Sequence, residues 1–253
     1  MALLENGELY RKYDEDVHPD MRLGRNLWLD ARSLAYMVEN NPAAMTKPLA
    51  DQHWTRELDI LDQGDLGSCT GNAGTGALGT QPFYDAVGRS VLGDVHDAIE
   101  AEKFAVALYS DATVIDGYPG SYPPEDTGSS GLAICKILRS RGTIAGYRWA
   151  RSPYGLLQLL QDGPVLQGMP WYEAFFTPDA QGFIDSGPWE SSDLAGGHEI
   201  EAVGCEIDTA DVFNSVIIYA NSWGTGWADN GYFRMRLHTY EKLSNVDLKQ
   251  YTL

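Results

Sequence analysis

Residues 62–73 read DQGDLGSCTGNA, and this stretch decides how the rest of the sequence is interpreted. Gln63 supplies a side-chain amide six residues before the thiol of Cys69, at a predicted junction between a loop and a helix. A cysteine nucleophile needs such a donor beside it, because an oxyanion forms when the thiol attacks a carbonyl. The segment therefore predicts a thiol enzyme whose nucleophile is Cys69.

The composition limits the classes of partner and the compartment. A chain of 253 residues with 43% hydrophobic residues can bury the core of one large domain or two small lobes. The net charge of -18 opposes contact with phosphate backbones and anionic lipid, so neither nucleic acid nor membrane is an expected partner. The N-terminus lacks the features of a signal peptide, and no apolar run approaches the roughly 20 residues of a membrane span. We expect a cytoplasmic or virion-associated protein.

The three cysteines are Cys69, Cys135 and Cys205, so at least one thiol is unpaired and a dense disulfide framework is excluded. This number suits a reducing compartment. Cys135 lies on the apolar side of a predicted helix, and Cys205 lies on a predicted strand with no basic residue in its segment. Both are expected to be buried and inert.

The order of predicted elements indicates an α+β fold. Helices are predicted over 70–87, over 97–109, from capping hydroxyls at 127–130 to Gly142, and over 152–163. Strands are predicted over 164–169, 198–207, 215–221 and 231–237. Helices followed by strands favour two lobes with a cleft between them.

The domain organisation follows from the same pass along the chain. Residues 1–50 are polar and are interpreted as an N-terminal extension packed on the catalytic body, with a propeptide as one possibility. Residues 51–253 are predicted to form the catalytic domain, with a helical lobe over about 63–150 and a β-rich lobe over about 151–253.

Among the five histidines, His198 is the candidate base. It follows Gly196 and Gly197 and begins a predicted strand, where glycines allow a substrate or another backbone to approach closely. A zinc motif of the form H-E-x-x-H is excluded because position 202 is alanine, and the glycines at 71–76 lack the residues of a phosphate loop. Neither a metal nor another cofactor is predicted.

A third block, NSWGTGW over residues 221–227, completes a pattern. Gln63 with Cys69, Gly197 with His198, and this block resemble, in order, the three signature regions of the papain-like cysteine peptidases. His198 and Asn221 follow Cys69 by 129 and 152 residues, compared with roughly 130 to 150 in the family. The resemblance implies a two-lobed fold, with a helical lobe, an antiparallel β-barrel-like lobe and an active site in the cleft between them.

The resemblance also implies roles for these residues. Cys69 would be the nucleophile, His198 the base and later the acid, and Asn221 the group that orients the imidazole. Gln63 would donate its amide to the oxyanion, and Trp223 would shield the hydrogen bond between His198 and Asn221 from water. The implied activity is that of a cysteine endopeptidase that forms an acyl-enzyme thioester on polypeptide substrates.

Substrate contacts are predicted less specifically. A glycine-containing turn of the helical lobe pairs with the substrate backbone in the family, and Gly128 and Ser129 are its counterparts here, with Gly197 and Trp223 on the opposite side. The pocket for the side chain before the scissile bond is expected to be lined by residues 169–171 and by residues around Gly196.

The sequence departs from the family at two positions. Leu66 and Thr70 stand where the family usually has a cysteine and an aromatic residue, so the usual disulfide is absent and the cleft wall differs. The form GSCTGNA over 67–73 resembles the bacterial and phage-encoded branch.

Two alternatives remain open. One is a thiol hydrolase or transferase acting on cell-wall peptides, although such enzymes usually lack the third block. The other is a catalytically silent papain-like module in a larger particle, although silent members usually lose Cys, His or Gln.

Overall fold

The computed structural model of the protein describes residues 2–3, 8–15, 18, 21–93, 96–247 and 249–252. The strands are β1 Ala2–Leu3, β2 Glu8–Arg11, β3 Leu27–Asp30, β4 Gln52–His53, β5 Arg148–Ala150, β6 Val165–Tyr172, β7 Leu194–Glu206, β8 Val216–Ala220, β9 Tyr232–Arg236 and β10 Lys249–Thr252. The α-helices are α1 Cys69–Leu78, α2 Arg89–Val91, α3 Ala98–Ile115, α4 Gly131–Ser140, α5 Pro153–Leu160 and α6 Leu237–Asp247. A π-helical turn spans Tyr84–Gly88, and 3-10 helices span Ala31–Tyr36, Val38–Asn40, Pro42–Met45, Glu173–Phe176, Trp189–Ser191 and Val212–Asn214.

Helix α1 begins at Cys69 and is buried along its whole length. Its small residues let α3 pack closely, because a side chain at Gly71 would collide with the backbone of Ala105. The helix ends at Leu78, so the predicted extent to residue 87 is wrong. Pro82 lies in that stretch, and its ring and missing N–H oppose continuation of a helix.

The other long helices have their predicted starts. The side chain of Ser130 accepts the backbone N–H of Ala133 at α4, and that of Ser152 accepts the N–H of Gly155 at α5. Such caps satisfy N–H groups that have no partner within the helix. Helix α3 extends to Ile115, beyond the predicted end at residue 109.

Six strands from the second half of the chain and β4 from the first half form a seven-stranded sheet with the order β5-β10-β6-β7-β8-β9, in which β4 pairs with β7. All of these pairings are antiparallel, and the long β6–β7 pair places Met169 opposite His198. The path through the described strands stays open between β5 and β9. The β-rich lobe is therefore an open sheet rather than a closed barrel. A separate three-stranded sheet contains β1, β2 and β3.

The buried apolar residues form two clusters. One lies among α1, α3 and α4 and includes Leu78, Leu108 and Ile134. The other lies between the sheet and helices α5 and α6 and includes Trp171 and Tyr240. This division agrees with the predicted helical and β-rich lobes. Among the residues that the structure describes, no helix combines the length and the apolar character needed to cross a bilayer.

Candidate active site

Cys69 lies at the first turn of α1, packed against strand β7. Its side chain is fully buried, and the backbone N–H of Glu199 on β7 is directed at the thiol and favours its ionised form. The N-terminus of a helix also favours a thiolate, because the unpaired N–H groups there carry partial positive charge. The two elements thus place the thiol beside the residue that follows His198.

His198 and Asn221 meet across the sheet. Nε2 of His198 lies 2.8 Å from Oδ1 of Asn221, and both side chains are buried. Because an amide oxygen only accepts, Nε2 carries the proton of the neutral ring and Nδ1 keeps its lone pair. Nδ1 has no hydrogen-bond partner among the described residues. The ring is therefore in the tautomer that can take a proton from a thiol.

Two tryptophans enclose this pair. The ring of Trp223 stacks on His198 with centroids 4.7 Å apart, and the ring of Trp171 meets His198 edge-on at 4.9 Å. Apolar rings on two sides exclude water, which strengthens the hydrogen bond to Asn221. Trp223 was predicted to shield this hydrogen bond from water, and its ring lies on His198. The structure adds Trp171 as a second ring at His198. Trp171 lies there because its strand, β6, pairs with β7.

The carboxamide of Gln63 is buried and fully engaged. Its Nε2 donates to the carbonyls of Leu66 at 2.8 Å and Leu23 at 3.1 Å. Its Oε1 accepts the hydroxyl proton of Ser222 at 2.7 Å. Leu23 comes from the N-terminal extension, so a carbonyl of the chain itself already occupies the donor predicted for an oxyanion.

Residues 21–26, which we call the cleft segment, run between the helical lobe and the sheet. The N–H of Asn26 donates to Ser129 O at 2.6 Å, and the N–H of Ser129 donates to Gly24 O at 2.8 Å. On the opposite side, the N–H of Arg25 donates to Gly197 O at 2.9 Å. The two residues predicted to hold a substrate backbone, Ser129 and Gly197, are therefore bonded to the chain itself.

Further contacts fix both ends of the cleft segment. The indole N–H of Trp223 donates to Arg22 O at 2.8 Å. Arg22 also pairs with Glu15 at 3.0 Å and with Asp126 at 3.2 Å. Gly128 contributes by its lack of a side chain, since a Cβ there would collide with the carbonyl of Gly24. With the segment in this position, Cys69 has no exposed surface.

Burial sets the protonation state of the site. Burial raises the pKa of the Cys69 thiol well above its usual value, more than the backbone N–H of Glu199 lowers it. Burial also lowers the pKa of His198 to about 4, against the opposing effect of its bond to Asn221. Both groups are therefore neutral near pH 7 while the cleft segment is in place.

The structure adds residues that the sequence did not reveal. Met169 and Trp171 are fully buried in the same apolar cluster as Leu23 of the cleft segment, and their place in a substrate pocket stays a prediction. Ser222, Arg25 and Glu199 were not predicted. Ser222 could have been noticed as a neighbour of Asn221, whereas nothing in the sequence connects Arg25 to Glu199. Cys135 and Cys205 are buried and unpaired, as expected.

Parts of the chain are similar in sequence to known proteins. A sequence profile described as papain family cysteine protease matches residues 145–251. "Cathepsin B-like cysteine proteinase 6" of Caenorhabditis elegans is 32% identical over 78 residues, which is 31% of this chain and 19% of that protein. This chain thus matches about a fifth of the length of that curated relative.

Two solved structures show the same fold. Xylellain, a cysteine protease from Xylella fastidiosa, superposes with a TM-score of 0.61 at 17% identity, covering 95% of this chain and 94% of that chain. Digestive procathepsin L 3 of the Tenebrio molitor larval midgut superposes with a TM-score of 0.52 at 19% identity, covering 81% and 70% of the two chains.

A helix that begins at a cysteine and packs on a sheet carrying histidine and asparagine defines the papain-like fold. The chain is thus similar to papain-like cysteine proteases in its fold, and its sequence matches their profile over residues 145–251.

Proposed function

We propose that this protein is a cysteine endopeptidase that acts through Cys69, His198, Asn221 and Gln63. The observation that carries the proposal is the 2.8 Å contact between Nε2 of His198 and Asn221, which leaves Nδ1 as the acceptor. Cys69 lies at the start of α1, next to the backbone of Glu199. A nucleophile, a base and an orienting amide are the three parts that acyl transfer requires.

The chemistry follows from these groups. Nδ1 of His198 takes the thiol proton of Cys69, and the thiolate attacks the substrate carbonyl. The amide of Gln63 and the backbone N–H of Cys69 stabilise the resulting oxyanion. His198 then gives its proton to the leaving amine, which leaves a thioester on Cys69. Water, deprotonated by His198, hydrolyses this thioester and restores the thiol.

We propose further that the chain is latent in the described conformation. The extension over residues 1–50 acts as a blocking segment for the catalytic domain over 51–253, which has lobes over about 63–150 and 151–253. Hydrogen bonds of the cleft segment to Gln63, Ser129, Gly197 and Trp223 support this proposal. A substrate backbone would take over these four positions once the segment leaves.

Thiol labelling tests the proposal. The full chain is treated with a thiol-reactive epoxide or iodoacetamide, and the label is mapped by mass spectrometry. We expect Cys69 to react first, because departure of the cleft segment would expose it, whereas Cys135 and Cys205 stay packed in the two apolar clusters. Digestion of a peptide library should be lost in the Cys69→Ala variant.

Two outcomes would contradict the proposal. Preferential labelling of Cys135 or Cys205 would remove Cys69 as the nucleophile. Labelling of Cys69 with hydrolysis of cell-wall peptides but not of polypeptides would favour the cell-wall hydrolase instead. Association with a larger particle is tested by whether the purified chain alone cleaves the library.

A further inference from the structure

A buried asparagine joins the start of helix α1 to helix α3. Asn72 lies on the first turn of α1 and is 2% exposed. Its Oδ1 accepts the hydroxyl proton of Ser68, with the two oxygens 3.0 Å apart. Its Nδ2 donates to both carboxylate oxygens of Glu102 on α3, at 2.9 Å each. Because Ser68 directly precedes Cys69, one side chain connects the residue before the proposed nucleophile to a carboxylate of the neighbouring helix.

The same carboxylate holds the loop that carries the other proposed oxyanion donor. The backbone N–H of Asp62 is directed at Glu102 and, like the amide of Asn72, favours its ionised form. Asp62 directly precedes Gln63 in the chain. The carboxylate is thus bonded beside Gln63 on one side and, through Asn72, beside Cys69 on the other.

The charge of Glu102 fixes the direction of these bonds. An ionised carboxylate only accepts hydrogen bonds, so Glu102 can hold two donors at once. It also sets the orientation of the Asn72 amide, whose NH₂ faces the carboxylate and whose oxygen faces Ser68. Burial raises the pKa of Glu102 to about 7, against the opposing effect of its bonds to Asn72 and to the backbone N–H of Asp62. The group is therefore mainly ionised at pH 8.

We propose that Glu102 is a positioning residue for the oxyanion site, where it makes the Gln63 amide and the backbone N–H of Cys69 converge on one point. This inference rests on the proposed peptidase function. An oxyanion donor is effective only at about 2.7–3.1 Å from the developing charge. Two donors from different elements meet that condition together only if their elements are tied to each other. Glu102 supplies this tie through Asp62 and Asn72, not by acting on the substrate.

A reversal of the pair tests the proposal with little change in side-chain volume. Glu102→Gln leaves one acceptor for two donors, and Asn72→Asp places two carboxylates together. Each single variant should lower kcat by about 3- to 10-fold, the usual effect of one lost hydrogen bond. In the double variant the amide at position 102 donates to the carboxylate at position 72 and accepts from the N–H of Asp62. Because both bonds return, its kcat should recover to within about twofold of the wild type.

Two reactions of Cys69 separate an oxyanion effect from general damage. Hydrolysis of a peptide forms an oxyanion, whereas alkylation by iodoacetamide displaces iodide from a saturated carbon and forms none. Both reactions need an open cleft and a reactive thiol, so their ratio cancels differences in the fraction of open chains. The full chain is assayed at pH 8 with one peptide substrate and with iodoacetamide. We expect each single variant to lower kcat, while KM and the alkylation rate stay within about twofold of the wild type.

Two further variants complete the experiment. Glu100→Gln is the matched control, because Glu100 lies on the same helix but is exposed and pairs with Lys103 at 2.6 Å. It should leave both reactions unchanged. Ser68→Ala removes only the bond nearest to Cys69 and keeps the bonds between Asn72 and Glu102. It should lower kcat by about threefold and leave alkylation unchanged, and it gives the same test if Glu102→Gln does not fold.

The outcomes separate the inference from the function. A double variant as slow as the single ones, or an equal loss of hydrolysis and alkylation in Glu102→Gln and Ser68→Ala, would overturn the positioning role. A wild-type kcat in these two variants would do the same, and each of these results would leave the peptidase standing. A wild-type chain that neither cleaves peptides nor is labelled at Cys69 would overturn the peptidase and this inference with it.

Discussion

The side chain of Gln63 is held at both ends of its amide. Ser222 donates to its oxygen, so the two N–H protons must point the other way, toward the carbonyls of Leu66 and Leu23. A carboxamide in this position could otherwise rotate by half a turn and present its oxygen to an oxyanion. Ser222 therefore acts as a positioning residue for the proposed donor.

Substitutions at these two residues should have graded effects on catalysis. Gln63→Ala is expected to lower kcat by about 10²–10³-fold, the usual effect of removing one oxyanion donor. Ser222→Ala removes one hydrogen bond that orients the donor and should lower kcat by roughly 3- to 10-fold, with KM little changed. Steady-state kinetics on one peptide substrate measures both effects.

The double variant provides the control for this pair. If Ser222 acts through Gln63, then Ser222→Ala should have no further effect in the Gln63→Ala background. Effects that multiply in the double variant would show that Ser222 acts on another part of the site.

At the scale of elements, the path of the cleft segment depends on Gly24. Its φ is +118°, a conformation that side chains disfavour, and a Cβ there would collide with the backbone of Gly67. Gly67 lies two residues before Cys69, in the loop that leads into α1. The segment can therefore pass the nucleophile this closely only with glycine at position 24.

A Gly24→Ala variant should open the cleft. We expect the rate of Cys69 labelling by iodoacetamide to rise at least tenfold, because a clash with a fixed backbone cannot be relieved by rotating a side chain. Gly142→Ala is the matched control: Gly142 also has a positive φ, of +70°, but nothing lies near its Cβ position. It should lose about 1 kcal/mol of stability and keep the wild-type labelling rate.

An unchanged labelling rate in Gly24→Ala would mean that the segment does not limit access to Cys69. Equal acceleration in both variants would point to general destabilisation rather than to the cleft.

The sequence predicts some elements well and others poorly, for physical reasons. Capping serines and apolar spacing are local, so the starts of α4 and α5 could be found in the chain. Helix α6 was missed, although Leu237, Tyr240 and Leu243 repeat at helical spacing and are buried. The contact of Arg25 with Glu199 could not be predicted, because it depends on where the extension crosses the cleft and no local pattern encodes that.

At the scale of the whole molecule, the cleft segment is bound to both lobes. Ser129 belongs to the loop before α4, and Gly197 belongs to β7, so Arg25 and Asn26 connect the helical cluster to the sheet cluster. Departure of the segment would break contacts on both sides at once, and loss of Leu23 from the cluster that contains Trp171 and Trp223 would let water reach His198. Any group whose pKa differs between the closed and open states makes this equilibrium depend on pH.

Acid should open the latent chain through His198. Burial lowers the pKa of His198 to about 4 in the closed state, compared with about 6.5 for a histidine in water. The closed state binds fewer protons than the open state. The free-energy preference for the closed state that comes from His198 is therefore complete above pH 6.5 and is lost as the pH falls toward 4. We expect opening at pH 5 to be favoured by roughly 20-fold over opening at pH 7. The measurement is the rate at which a pyridyl disulfide labels Cys69, because this reagent reacts with thiols in acid as well as at neutral pH. At each pH, this rate is divided by the labelling rate of Cys69 in the Gly24→Ala variant.

Two internal controls isolate this effect. Burial raises the pKa of Asp116, which accepts from the Ser129 hydroxyl at 2.7 Å, to about 6, so this carboxyl titrates in the same pH range as the proposed opening. Asp116→Asn removes this second titrating group, and acid opening through His198 should persist in it. Cys135 and Cys205 are buried outside the cleft and become reactive only on global unfolding. Acceleration confined to Cys69 would show local opening, whereas parallel labelling of all three thiols, or a flat profile, would exclude His198 as the acid-sensitive group.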